Sequence, residues 1–199
     1  MTSERDWVRG FVTKLNADLA KRSSSDDTII SVSDGTKLSY ACEIEGYSAQ
    51  NEPETSIKKY ETDILVRDVF PDGRWIPRVV IECKLRSVTT HDALTYSAKA
   101  ATHRAVHPYL RYGILAGKRE EFALPARLVR HGQQFDFMVS WKGLKARPAE
   151  WKAFCDLLLD EVKTSRQLQK LLTDNRSASR IKNSNIRKSM TFNRTSRTK

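Results

Sequence analysis

Tyr60-Glu61-Thr62-Asp63-Ile64-Leu65-Val66 and, past a turn signal at Asp72-Gly73, Val79-Val80-Ile81-Glu82-Cys83-Lys84 are two apolar runs interrupted by charge. Residues 58–70 and 75–85 alternate as strands, and Asp-Gly between such runs predicts a hairpin. A two-residue turn at Asp72-Gly73 sets Asp63 opposite Glu82, with Cβ atoms roughly 5 Å apart. Pro71 and Pro77 are the positions at which a bulge would shift that register. Strand alternation puts Glu82 and Lys84 on one face. Charge inside apolar strands is costly unless it is paired or ligates a metal. Two facing carboxylates repel, and a divalent cation between them reverses the sign. Mg²⁺ suits such a site because it takes few carboxylate oxygens and keeps several waters. Lys84 is placed to orient or help deprotonate a water bound by that cation, and to stabilise charge growing on a phosphate.

Working outward, residues 4–22 show Trp7, Val8, Phe11, Val12, Leu15 and Leu19 at helical spacing. Residues 28–33 and 36–45 read as a first hairpin around Asp34-Gly35, and 46–56 as a loop. A helix is expected over 91–107, closed by Pro108, and a strand over 109–116. Residues 118–133 read as a loop with one helical turn, 135–141 as a strand, and 148–172 as a long helix opened by Pro148. The apolar period stops at Thr173. The expected architecture is an α/β domain over residues 1–172, a mixed central sheet flanked by helices, followed by a flexible basic tail over 173–199.

The chain has 199 residues, 39% of them hydrophobic and 30% charged, which suits one soluble domain with a substantial core. No stretch reaches the roughly 20 apolar residues of a membrane span. The first residues, Met1-Thr2-Ser3-Glu4-Arg5-Asp6, lack the apolar segment of a secretory signal. The three cysteines, Cys42, Cys83 and Cys155, are widely spaced. They read as free thiols of a reducing cytoplasm rather than a disulfide framework or a zinc site. Cys83 should point into the core, away from Glu82 and Lys84. His91 and His131 are too dispersed to read as zinc ligands, and there is no Gly-rich phosphate loop, GxSxG elbow or HExxH.

The net charge is +11, a balance that favours polyanions, nucleic acid first. Residues 175–199 hold eight Lys and Arg and no acid, so +8 belongs to them and +3 to residues 1–174. Arg176, Arg180, Lys182, Arg187 and Lys188 are therefore expected to bind phosphates without sequence preference. In the helix over 91–107, Tyr96, Lys99, His103, Arg104 and His107 share one face, and Ala93, Ser97, Ala98, Ala101 and Ala105 form a small opposite face for packing. Lys99, His103 and Arg104 are the nucleic-acid contacts expected beside the site.

Asp63 followed by apolar residues, then Ile81-Glu82-Cys83-Lys84 ending an apolar strand, resembles the PD-(D/E)XK nuclease superfamily. The resemblance covers roughly residues 4–141. Thr62 stands where the motif's name has Pro, a residue without a chemical role in this scheme. The resemblance implies a restriction-endonuclease-like sheet, Asp63 and Glu82 as metal ligands, Lys84 as the catalytic lysine, and Mg²⁺ as cofactor with Mn²⁺ as a substitute. The family often adds an upstream acid, for which Glu43, Glu45 and Asp18 are the candidates. The expectation is a DNA endonuclease of restriction, antiphage defence or a mobile element, acting as a homodimer or within a larger nuclease complex. The alternatives are a non-catalytic nucleic-acid-binding module and a nuclease-like subunit.

Overall fold

The computed structural model describes residues 2–22, 28–118 and 124–174. The elements in chain order are α1 (Glu4–Arg22), β1 (Ile29–Ser33), β2 (Lys37–Tyr47), β3 (Pro53–Glu61), β4 (Ile64–Val69), β5 (Trp75–Leu85), α2 (Thr90–Val106), β6 (Arg111–Gly117), α3 (Ala126–His131), β7 (Phe137–Ser140) and α4 (Pro148–Asp174). The fold is mixed α/β. Five strands form one sheet in the order β1-β4-β5-β6-β7. β1, β4 and β5 are antiparallel, and β6 and β7 continue the sheet in parallel. Residues 77–83 of β5 are all buried, as expected of an innermost strand covered on both faces.

Strand alternation divides the core in two. Ile64, Val66, Val79, Ile81 and Cys83 face α1 and α4 and pack against Leu15, Leu19, Phe154 and Leu158. Leu65, Val80, Tyr112 and Ile114 face the other way, with Ala93 and Ala100 of α2 and Leu128 of α3. Cys83 is thus a core thiol on the face opposite Glu82. Among the described residues, no helix is long and apolar enough to cross a membrane. The expected basic tail lies outside the described residues beyond Asp174, and with it Arg176, Arg180, Lys182, Arg187 and Lys188.

The expected hairpin around Asp34-Gly35 does not form. β1 pairs with β4, while β2 pairs with β3 in a separate two-stranded ribbon. The chain leaves the main sheet at Gly35, whose φ of +63° is a conformation glycine tolerates. It returns at Thr62, and the exit and return are tied together. Gly35 N donates to Thr62 O, and Thr62 N and Oγ1 both donate to Thr36 O. Burial explains the choice of partner. Ile30 and Val32 of β1 and Ile64-Leu65-Val66 of β4 are buried. The ribbon carries Glu43, Glu45, Glu54, Lys58 and Lys59, which a two-sided core could not accept. The single strand expected over 58–70 is accordingly broken at Thr62-Asp63, and of the expected loop over 46–56, residues 46–47 belong to β2 and 53–56 to β3.

Gly113 on β6 lies beneath the Phe137 ring of β7, where an added Cβ would stand 2.2 Å from a ring atom. Gly113→Ala is therefore expected to destabilise the fold by about 1–3 kcal/mol through overpacking. Urea unfolding would show this as a lower midpoint at unchanged slope, and an unchanged midpoint would refute it.

Candidate active site at the carboxyl end of β5

Asp63 and Glu82 do become neighbours, but by a different route from a two-residue turn. The hairpin loop is Pro71-Asp72-Gly73, closed by Gly73 N donating to Phe70 O, with Gly73 at φ +83°. That loop pairs Val69 with Trp75 and Arg67 with Pro77, one residue away from the expected register. Arg78, next to Pro77, is then an extra residue on β5, and beyond this bulge Val66 pairs with Val79 and Ile64 with Ile81. The two offsets cancel at the site. Asp63 precedes the first paired residue of β4, and its side chain rather than its backbone reaches β5, with Oδ2 accepting from Cys83 N at 2.7 Å.

Glu82 is 1% exposed. Its Oε1 accepts from the Tyr112 hydroxyl on β6 at 2.5 Å and from Lys99 Nζ on α2 at 3.2 Å. Burial raises its pKa above the ordinary glutamate value; Lys99 pulls it down, and the nearby Asp63 carboxylate pushes it up. Tyr112 is held well above the usual tyrosine range by burial and by the Glu82 charge, so it remains a donor.

Lys84 lies on the same face as Glu82, two residues further along β5. Its Nζ is 3.3 Å from Glu4 Oε1 and 3.6 Å from Asp92 Oδ1, and it sits over the Tyr96 ring. Burial works against the ammonium, but the Tyr96 phenol and the Glu4 and Asp92 carboxylates outweigh it and raise the Lys84 pKa. Burial also pushes Tyr96 up to about 12 against the pull of Lys84. Asp92 is fixed by a capping box with Thr89 at the start of α2, which aims the first turn of that helix at β5.

Glu4 was not among the expected upstream acids. It enters because α1 lies across the ends of the parallel strands. The Trp7 ring covers Gly117 at the end of β6, and Glu4 Oε2 accepts from Leu85 N at 2.9 Å. Its signal in the sequence is an acid in the first turn of a helix whose next turn is apolar. Glu43 instead pairs with Lys58 on the ribbon, Glu45 is exposed there, and Asp18 accepts from the Trp151 indole.

The expected polar face of α2 is only partly at the site. Lys99 and Tyr96 are there. His103 is fully buried, which corrects its assignment as a nucleic-acid contact. Its ring lies against Tyr60 and Tyr112, and burial lowers its pKa to about 4, so it is neutral. His107 lies 3.1 Å from Ser39 O. Arg104 is committed to Asp136 and to Gln134. The ribbon packs on α2, and the buried stripe is Ala93, Ser97, Ala100 and His103: Ala93 and Ser97 of the expected small face are in it, whereas Ala98, Ala101 and Ala105 are exposed.

Among the described residues no group of three or more His, Cys, Asp or Glu side chains is placed to hold a metal ion. Asp63 and Glu82 form a pair of carboxylates, which suits a cation that draws its other ligands from water and substrate. No family model matches this sequence, and a search of curated proteins finds no relative.

The raised Glu82 pKa has a testable sign. Between the ordinary glutamate value of 4.5 and the higher folded value, the unfolded chain has lost this proton while the folded chain still holds it. Folding then takes up a proton, and the contribution of Glu82 to stability falls as pH rises through the interval between the two values. Glu82→Gln carries no such proton and can still accept from Tyr112. It is expected to melt above wild type at pH 7, with the gap closing as pH falls through that interval and gone below 4.5. A wild-type protein that melts higher at pH 7 would contradict this.

Proposed function

We propose that the chain is a metal-dependent nuclease that hydrolyses phosphodiester bonds, with DNA as its substrate. The observation that carries this reading is the convergence of Asp63, Glu82 and Lys84 at the carboxyl end of an innermost strand, two adjacent acids with an ammonium on the same face. Ligand sites of open α/β sheets characteristically lie at such strand ends. The finer fold reading, a restriction-endonuclease-like sheet, is supported by the order of elements. α1, the antiparallel β1, β4 and β5, then α2 and the parallel β6 follow one another as the resemblance implies.

Asp63 and Glu82 would hold the cation, Mg²⁺ or Mn²⁺, in keeping with an all-oxygen donor set. When bound, it supplies Lewis acidity toward a phosphate oxygen and an attacking water. The chain's own groups do the rest. Asp63 is fixed by the Cys83 amide, so its carboxylate is presented without reorganisation. Glu82 is oriented by Tyr112 and Lys99. Lys84 keeps its charge between Glu4 and Asp92 and offers it to the growing charge on a phosphate. Lys99, over Tyr60 and Tyr96, is the second cation facing the same space. The basic residues beyond 174 would add sequence-independent attraction to the phosphate backbone. Double-strand cutting would require a second copy or another nuclease subunit. Restriction, antiphage defence or a mobile element in the cytoplasm is the biology such an enzyme would serve.

Incubation of supercoiled plasmid with the protein and Mg²⁺ or Mn²⁺ is expected to give nicked or linear DNA. Asp63→Ala and Lys84→Ala should each lower the rate by about 100-fold or more. Salt-sensitive DNA binding without cleavage under either metal would favour the non-catalytic binding module instead.

A further inference from the structure

Tyr112 belongs to no sequence motif, and its neighbours on β6 are ordinary sheet residues. It pairs with Val80 across the parallel ladder, and its side chain lies on the same face as Glu82. Both side chains are buried, and the ring is clamped between His103 and Phe135. The hydroxyl therefore has little freedom, and it donates to Glu82 Oε1. Lys99 Nζ approaches the same oxygen from α2. Among the described residues no hydrogen bond engages Oε2. Both partners thus hold one oxygen of Glu82 and leave the other for a different ligand.

We infer that Tyr112 is a positioning residue, whose buried hydroxyl pins one oxygen of Glu82 and so presents the other to the divalent cation. The inference rests on the nuclease reading above and extends it to a residue that touches neither metal nor substrate. Outer-shell partners of this kind orient a ligand, and their loss typically costs about 10- to 100-fold in metal affinity. Lys99 acts on the same oxygen with the opposite consequence. Its ammonium balances Glu82 in the absence of metal and competes with an arriving cation.

The test is Mn²⁺ binding to the full chain, followed by the electron paramagnetic resonance of free Mn²⁺. Tyr112→Phe keeps the ring and removes the hydroxyl; it should weaken Mn²⁺ by about 10-fold or more. Lys99→Met should tighten it. Wild-type affinity in Tyr112→Phe overturns the inference. So does an equal loss in both variants, because the surroundings of Glu82 in general, rather than this hydroxyl, would then set the affinity. Circular dichroism checks that Tyr112→Phe is folded. Should it not be, a fluorotyrosine placed at position 112 keeps the hydroxyl, and its ¹⁹F resonance must shift when Mg²⁺ is added. An unmoved resonance overturns the inference. Absence of Mn²⁺ binding by the wild type is a distinct outcome: it removes the metal-dependent reading, and this inference with it.

Discussion

Glu82 sits on the innermost strand with almost no exposed surface, where an uncompensated carboxylate would cost several kcal/mol. Much of the surrounding structure answers that charge. β6 must bring Tyr112 alongside it, which the parallel register of β5 and β6 does. α2 must lie across the same face so that Lys99 can reach it. The small residues Ala93, Ser97 and Ala100 permit that close approach. Asp63, close enough to add to the repulsion, is taken up by the Cys83 amide. What remains is a carboxylate held in place but not fully neutralised, a cost that folding alone gives no reason to bear and that cation binding would explain.

The ribbon is tied to this arrangement. It departs from the main sheet at Gly35 and rejoins it at Thr62, one residue before Asp63, so the hydrogen bonds that close its base also set where Asp63 begins. Tyr60, near that base, stacks on Tyr40 and lies beneath Lys99. His103 fills the space between ribbon and sheet, at the cost of a ring nitrogen, Nδ1, without a hydrogen-bond partner among the described residues. Displacement of the ribbon would therefore reach Glu82 through Tyr60 and Lys99. Its outer face is different in character: Ile44 and Ile57 remain more than half exposed.

Buried carboxylates elsewhere are paired with arginines. At the turn end of β4, Asp68 receives Arg78 and Arg166, and Arg78 also reaches Gln169. The bulge that restores the register at the site thus supplies one of these arginines. At the start of β6, Arg111 bonds Glu161 and Asp136, and Asp136 also accepts from Tyr112 N and Arg104. These clusters join β4 and β5 to α4, and β6 to α2 and α4; Asp68 faces two arginines, while Arg104 and Arg111 match Asp136 and Glu161. Around Glu82 the excess is of carboxylates: Glu4, Asp63, Glu82 and Asp92 face Lys84 and Lys99.

Local pattern was enough to identify the apolar runs of β4 and β5, the helical stripes of α1 and α4, and the shared face of Glu82 and Lys84. Each depends on periodicities of two or 3.6 residues that the chain carries within one segment. Asp63 comes beside Glu82 only because the loop and the bulge offset each other. Strand partners were not legible in the same way. Asp34-Gly35 has the chemistry of a hairpin turn, yet β1 finds β4 because both have buried apolar faces and β2 does not. The face of α2 was misread because a second layer, the ribbon, buries His103 on a side that looks polar in isolation. Glu4 and Tyr112 are 78 and 30 residues from Glu82 along the chain, and no spacing rule connects them. The sequence by itself determined most of the strands and helices and put Glu82 and Lys84 on one face, because those follow from short-range pattern and from the direction of side chains. Tertiary structure alone decided the partners that hold them, because hydrogen bonds to a buried carboxylate depend on which strand and which helix are brought beside it.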